Sequence, residues 1–260
     1  MSFFGPYLHA LAVILSLMTV LWIVSIFLKN VSIVDIFWGF GFAAAATVYY
    51  FSSRGEDSSR LLVLTLCLAW GLRLTVYLAI RNSGKGEDFR YREFRRKYGE
   101  HRYWWISYFQ TFLLQGILMW LISAPLLGAM LRPVSGSLNY IDYIALAVWI
   151  IGFTFEAGGD YQLARFRSDP SNKGKVLDRG FWKYTRHPNY FGDAAVWWSF
   201  GLFSVASGYY LPVLGSILMT ALIIKVSGVA LLEKSLRSQK PEYAEYERKT
   251  SSFLPWFPRK

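Results

Sequence analysis

Seven apolar runs dominate this chain of 260 residues, each about the length a helix needs to cross a hydrocarbon core, roughly 20 residues. They lie near 8–28, 33–52, 60–80, 108–131, 140–164, 190–206 and 210–232. Within lipid every peptide N–H and C=O must be satisfied inside its own segment, so such runs read as helices. Charged residues make up 17% of the chain against 54% hydrophobic ones, a balance that excludes an ordinary soluble core. The sequence therefore predicts an all-α polytopic membrane protein, one domain over residues 1–260, with about seven spanning helices. The last two runs are only a few residues apart and should form a helical hairpin.

Charge distribution sets an orientation. The chain carries 28 Lys and Arg against 17 Asp and Glu, a formal +11. A nucleic-acid surface would gather that charge on one face or helix; here it alternates between loops. Lys29 follows the first run, eight Lys and Arg fall within 81–102, seven within 165–186 and seven within 234–260. The intervening loops hold only Arg54, Arg60 and Arg132. The positive-inside rule then predicts the N-terminus outside and the C-terminus in the cytoplasm, with a bacterial inner (plasma) membrane as the expected setting. No Lys or Arg precedes the first run, so it reads as a span rather than a cleaved signal. The single Cys67 lies mid-run and gives no disulfide framework. His9, His101 and His187 lack zinc-ligand spacing. Neither a metal nor a nucleic-acid partner is expected.

The costly residues inside the runs are placed alike. Asp35 opens the second run, and Arg73 and Tyr77 sit late in the third, followed by Arg81. Gln110 and Gln115 begin the fourth, while Glu156, Asp160 and Gln162 close the fifth. Asn189 and Asp193 begin the sixth, and Lys225 and Glu233 end the seventh. On the predicted topology all lie at one cytoplasmic depth. A charge at the bilayer centre costs about 2.5–3.5 kcal/mol, so these groups should face one another or a wet cavity. The expectation is one polar pocket open to the cytosol with an apolar extension. Such a pocket would take a charged, water-soluble cofactor from one side and a lipid from the membrane. Simpler roles stay open residue by residue. Asp35 suits a helix cap. Glu156 and Asp160 share a helix face and suit ion pairs with Arg165 or Arg73. Arg73 and Lys225 can snorkel. The basic run 90–97 suits anionic headgroups, and Trp104-Trp105 and Trp197-Trp198 suit an interfacial belt.

The densest cluster is Thr185-Arg186-His187-Pro188-Asn189-Tyr190-Phe191-Gly192-Asp193, set between a basic loop and the sixth run. Pro188 and Asn189 are ordinary helix-start residues, but ionisable groups concentrated at a span's mouth mark a functional site. The preceding loop, about 165–188, mixes Arg, Lys, Gly and aromatic residues, a composition suited to binding phosphate and to covering a flat heterocycle. Neither a Rossmann nor a P-loop pattern occurs.

Residues 180–193, in which Gly180-Phe181-Trp182-Lys183-Tyr184 precede that cluster, resemble the C-terminal signature of the steroid 5-alpha-reductase and sterol-reductase superfamily. They are also similar to the Arg-His-Pro-x-Tyr-x-Gly pattern of isoprenylcysteine carboxyl methyltransferases. Four further stretches resemble the uncharacterised bacterial branch of the reductase group. They are Val34-Asp35-Ile36-Phe37-Trp38-Gly39, residues 155–162 with Glu156 and Asp160, residues 227–234 with Glu233, and the tail Tyr243-x-x-Tyr246-x-x-x-Thr250-x-x-Phe253-Leu254-Pro255. The resemblance implies a seven-helix membrane fold, NADPH in a cytoplasm-facing cavity and an unsaturated lipid beside its nicotinamide. It implies cofactor contacts from Asp160, Arg165, Arg167, Asn189, Tyr190 and Asp193, with Arg186, His187 and Glu233 alongside. Asp35 and Tyr77 match most nearly the second-helix glutamate and third-helix tyrosine that position the substrate carbonyl in steroid reductases, and Trp38 and Arg73 adjoin them. Glu233 stands where those enzymes use a histidine, and Glu156 where they use an asparagine.

The reaction expected from this resemblance is NADPH-dependent reduction of a lipid carbon–carbon double bond. For an enone, Tyr77, oriented by Asp35 or Arg73, would stabilise charge on the oxygen. For an unactivated alkene, Asp35 or Glu156 would serve as the acid. The alternatives are an S-adenosylmethionine-dependent membrane methyltransferase, a non-catalytic lipid-binding protein and a transporter.

Overall fold

In a computed structural model the chain is described at residues 3–53, 58–132, 138–227, 229, 233 and 242–259. Every regular element among these residues is helical. The last part of the seventh run and most of the stretch 227–234 lie outside the described residues. Among the described residues five helices are long and apolar enough to cross a membrane by length and composition: Phe4–Leu28, Ile33–Ser52, Ser58–Asn82, Glu100–Met130 and Tyr140–Ser168. The sixth expected run is a helix of 19 residues, Pro188–Ala206, and the seventh gives the shorter apolar helix Leu211–Val226.

The chain divides into two compact units, the first comprising Met1–Leu138 with Ser207–Pro212 and the second Asn139–Ala206 with Val213–Lys260. In the first, α1 (Phe4–Leu28) ends at Lys29, whose left-handed backbone (φ 51°) turns two amides back onto Ile26 and Ser25 carbonyls. Helices α2 (Ile33–Ser52) and α3 (Ser58–Asn82) pack closely because Gly39 and Gly71 meet backbone to backbone. A Cβ on either would strike the carbonyl oxygen of the other. Small residues at such crossings replace the hydrophobic drive that lipid does not supply.

The fourth expected run, 108–131, starts earlier than its hydropathy suggests. It is a bent rod of α5 (Glu100–Ser107), a π-wound stretch Tyr108–Leu113, α6 (Leu114–Ile122) and, after Ser123, α7 (Ala124–Met130). Before it comes a short polar helix absent from the predicted spans, α4 (Phe89–Tyr98).

The second unit is built on α8 (Tyr140–Ser168) and α9 (Pro188–Ala206). Asn139 starts α8 with a full capping box, its side chain taking the amides of Ile141 and Asp142 while Asp142 takes the Asn139 amide. The two helices run antiparallel, with Gly152 against Gly192 and Val196 and Gly159 against Pro188 and Asn189. The hairpin expected from the last two runs is present as packing of α9 on α10 (Leu214–Ala221). Ser216 Oγ donates to the Trp197 carbonyl at 2.6 Å and Trp198 Nε1 to Thr220 Oγ1 at 3.1 Å. The expected aromatic belt splits here, for Trp197 is fully buried whereas Trp198 is 40% exposed.

The α2–α3 contact sets a direct test. Gly39→Ala should lower the thermal stability of the detergent-solubilised protein by the equivalent of about 1–3 kcal/mol, the usual cost of overpacking. Gly5→Ala, at a position with open space around it, should leave the melting temperature unchanged or slightly raised.

Candidate functional site

The substrate-side residues expected from the sequence, Asp35, Trp38, Arg73 and Tyr77, all fall in the first unit. Asp35 lies in the first turn of α2, but its carboxylate is not a cap. Arg90 Nη2 donates to Oδ2 at 2.6 Å and the Tyr91 hydroxyl to Oδ1 at 2.7 Å. Gln115 Nε2 donates to the Tyr91 oxygen at 3.2 Å, and Trp38 Nε1 donates to Gln115 Oε1 at 2.7 Å. The result is a hydrogen-bond chain of one direction, from Trp38 through Gln115 and Tyr91 to Asp35.

Helix α4 makes this arrangement possible. Asp88 caps it, accepting from the Arg90 amide at 3.0 Å and from Arg90 Nε at 2.9 Å, while its own amide donates to Ser32 Oγ. Burial alone would raise the Asp88 carboxyl, but the bonds from the Arg90 side chain and amide hold it below its usual range. Glu87 accepts the Val31 amide at 2.9 Å and grips Arg95 through two bonds, at 2.8 and 2.9 Å. The basic run 90–97, read from sequence as a headgroup contact, thus commits Arg90 and Arg95 to carboxylates, because an acid is within reach of each. Burial pushes the Tyr91 phenol upward and the adjacent Asp35 charge adds to it. The group therefore stays protonated and donates.

Tyr77 sits elsewhere on α3, half-buried, with the guanidinium carbons of Arg73 and Arg81 at 5.9 and 5.7 Å from its ring centre. This is cation–π distance. Arg73 is the Tyr77 neighbour that the sequence suggested, while Asp35 turns to Arg90 and Tyr91.

The expected cofactor-side residues fall in the second unit. Asn189, in the first turn of α9, donates through Nδ2 to Asp160 Oδ1 on α8 at 3.0 Å and accepts the Tyr190 amide at 3.1 Å. Glu156 and Asp160 are buried, Asn189, Tyr190 and Asp193 half-buried, and Arg165 and Arg167 exposed in the last turn of α8. The loop before α9 is pinned to α8, with the Phe181 amide donating to Gln162 Oε1 and Trp182 Nε1 to the Gly159 carbonyl.

Arg186 and His187 do different work from their neighbours in the motif. Arg186 is 7% exposed. Its Nε and Nη2 donate to Glu233 Oε1 at 3.0 and 2.6 Å, and its Nη1 donates to the Glu247 and Thr250 carbonyls at 3.0 and 2.7 Å. His187 Nε2 lies 3.3 Å from the same Glu233 oxygen, and its ring stacks on Tyr190. Thr185 Oγ1 donates to the Phe253 carbonyl, and Tyr246, on α11 (Tyr243–Lys249), donates to the Trp182 carbonyl. This knot ties the tail to the motif. Burial drives His187 down to about 4, against the opposing pull of Glu233.

Sequence reasoning missed Tyr91 and Arg90 as partners of Asp35, and Gln115 as the link between Tyr91 and Trp38. The available signal was the acid-rich start of α4, Glu87-Asp88, directly before a tyrosine and arginines. Among the described residues no group of His, Cys, Asp and Glu is arranged to hold a metal ion.

Comparison with known proteins gives three matches. Residues 21–250 fit the model of a family described as a protein of unknown function, DUF1295. An uncharacterized protein of Schizosaccharomyces pombe is 27% identical over an alignment of 276 residues, covering 96% of this chain and 80% of the relative. A Delta(14)-sterol reductase of Aspergillus fumigatus is 34% identical over 79 residues, covering 25% of this chain and 15% of the reductase. No solved structure matches the chain.

The knot generates two expectations. Arg186→Met should expose the tail to limited proteolysis and cost about 3–5 kcal/mol in a detergent melt, since Glu233 and two carbonyls lose their donor. For His187 the folded value, about 4, lies below the ordinary 6.5. The unfolded chain therefore binds its proton first as pH falls. Stability should decline from about pH 6.5 to pH 4 by roughly 3 kcal/mol from this residue, and the decline should be shallower in His187→Gln.

Proposed function

The chain belongs to the DUF1295 family, and from that premise we propose that it is an integral membrane oxidoreductase that reduces a carbon–carbon double bond of a lipid with hydride from NADPH. The local similarity to a Delta(14)-sterol reductase supports the broad steroid-reductase-like superfamily. The observation that carries the reading is the bond joining Asn189 to Asp160 between α9 and α8. It turns the sequence motif into a polar seat with Tyr190 and Asp193 on its rim.

The donor set suits a nicotinamide dinucleotide. Asn189 and Asp160 offer a donor and acceptors for an amide or ribose hydroxyl. Arg165 and Arg167 are exposed forks able to take phosphate oxygens. Arg186 does not join them, because Glu233 and two carbonyls occupy its donors; it holds the tail instead. When bound, NADPH supplies the hydride, and the protein supplies position and field.

On the lipid side, the Tyr77 hydroxyl donates to an enone oxygen, and Arg73 and Arg81 place positive charge beside the oxyanion that develops. Tyr91 keeps its proton on the phenol oxygen and holds Asp35 in place with Arg90. For an unactivated alkene, Glu156 supplies the proton in its neutral form, since both oxygens of Asp35 are committed as acceptors to Arg90 and Tyr91. Trp38, fixed through Gln115, adds an apolar wall. Lys and Arg asymmetry supports an orientation with the cofactor side facing the cytoplasm.

Equilibrium binding of NADPH, NADH and S-adenosylmethionine to the detergent-purified protein is the test. We expect saturable NADPH binding, weaker for NADH, reduced at least tenfold by Asn189→Ala and several-fold by Arg167→Ala. Tyr77→Phe should leave binding intact and lower turnover on an enone lipid by about a hundredfold, within the range for loss of one oxyanion donor. Binding of S-adenosylmethionine alone would overturn the hydride reading, and unaltered NADPH binding in all three variants would overturn the site.

A further inference from the structure

Residues 251–259 are tied down by backbone hydrogen bonds and yet present their largest apolar side chains outward. Leu254 is 65% exposed, Trp256 72% and Phe257 75%. This is not a loose tail. The Arg186 amide donates to the Ser251 carbonyl at 2.9 Å, the Trp256 amide to the Tyr184 carbonyl at 2.9 Å, and the Arg259 amide to the Lys249 carbonyl at 2.8 Å. Phe257 meets Tyr184 edge-on at 6.0 Å. The backbone is thus fixed by partners on both sides, while the side chains between them stay uncovered.

Around these rings lie several exposed cations, of which Lys249 is paired with an acid. Lys183, Arg248, Lys249 and Arg259 are all exposed, and Lys183 lies over the Tyr184 ring at 6.0 Å. The nearby acids are partly spent, since Glu245 is paired with Lys249 at 2.6 Å and Glu247 lies 3.8 Å from Arg186. Position adds a second argument. The segment is tied to Tyr184 and Thr185, and Trp182 of the same loop is tied to Gly159. That puts it beside the last turns of α8, a helix apolar enough to cross a membrane, at the end where Arg165 and Arg167 mark its exit from the apolar stretch.

From these observations we propose that Leu254, Trp256 and Phe257, with Lys183, Arg248 and Arg259 around them, form a docking surface for the anionic phospholipid interface of the protein's own membrane. Trp and Phe enter the headgroup and upper acyl region, where amphipathic rings are favoured. The cations meet lipid phosphate and acidic headgroups, as basic side chains do near an anionic surface. Because the knot of Arg186 joins this surface to the motif, the lipid interface braces the loop that precedes α9. The proposal rests on the membrane character of the second unit and not on hydride chemistry.

The experiment uses the full chain in proteoliposomes of phosphatidylcholine, with or without phosphatidylglycerol. Cys67 is the single cysteine and is buried, so Cys67→Ala provides a background for Trp256→Cys carrying an environment-sensitive fluorophore. The bonds that hold position 256 are backbone bonds, so the indole is dispensable to the fold. Phe257→Cys serves as a second site should the first fail to fold, and Ser171→Cys, on an exposed turn, is the control. The expected result is blue-shifted emission at 256 and 257, quenched by lipids labelled near the headgroup at least threefold more than at 171. Quenching should strengthen when phosphatidylglycerol is present. Water-like, unquenched emission at both positions would overturn the proposal. A blue shift without lipid quenching would assign the surface to a protein partner instead and overturn it equally. Identical quenching in both lipid compositions would overturn the assignment to anionic lipid.

Discussion

A charged group taken into an apolar helical body loses several kcal/mol of hydration unless a partner meets it there. This chain draws several such groups inward, and their partnerships organise everything near the candidate site. In the first unit Asp35 sits at the start of an apolar helix, and a short helix with no apolar character of its own delivers Arg90 and Tyr91 to it. In the second, a buried arginine and a buried histidine share one carboxylate oxygen of Glu233. The Arg186 cluster is not a surface ion pair of small worth, and the Asp35 pair, though half-buried, is reinforced by Tyr91. Removing one member leaves the others without their compensation, so each cluster behaves as a unit.

The helices that carry these groups are held close by the smallest residues. Gly39 against Gly71 joins α2 to α3, and Gly152 against Gly192 joins α8 to α9. The second contact has a consequence for chemistry. Antiparallel packing sets Asn189 against Asp160, and the same register carries Asp193, one turn along, to the level of Glu156. The packing thus places polar residues spaced four apart on each of the two helices at matching levels. A site built on helices in this way keeps its geometry better than one built on loops.

Much of the architecture is legible in hydropathy because lipid leaves the backbone so few options. The run 33–52 is the helix Ile33–Ser52, and 190–206 falls within Pro188–Ala206. The exceptions follow from what hydropathy cannot see. Helix α4 is short and polar, so no apolar run announces it. The rod around 108–131 begins at Glu100 because a helix continues past the point where its side chains cease to be apolar. Site residues are legible to the extent that their chemistry is local. Asn189 and Asp160 stand out as costly polar groups in apolar runs, whereas Tyr91, 56 residues from Asp35 in sequence, resembles any tyrosine in a basic segment. Its role comes from a pairing that only the folded chain provides.

The Arg-His-Pro-Asn motif illustrates why a sequence signature need not have one purpose. Its first two residues precede α9 and turn toward the tail, where Arg186 spends its donors on Glu233 and on the carbonyls of Glu247 and Thr250. Pro188 starts the helix and packs against Gly159, and Asn189 then faces α8. A proline fixes the backbone direction at the point of change, so residues on its two sides are held to different neighbours. Arg186, which the resemblance sets alongside the cofactor, thus has its donors on the tail, and the exposed arginines at the end of α8 take the phosphate in the proposed reaction. The motif works as a hinge pin between a tail and a polar seat. Its conspicuous charge holds the tail, and its uncharged asparagine holds α9 to α8.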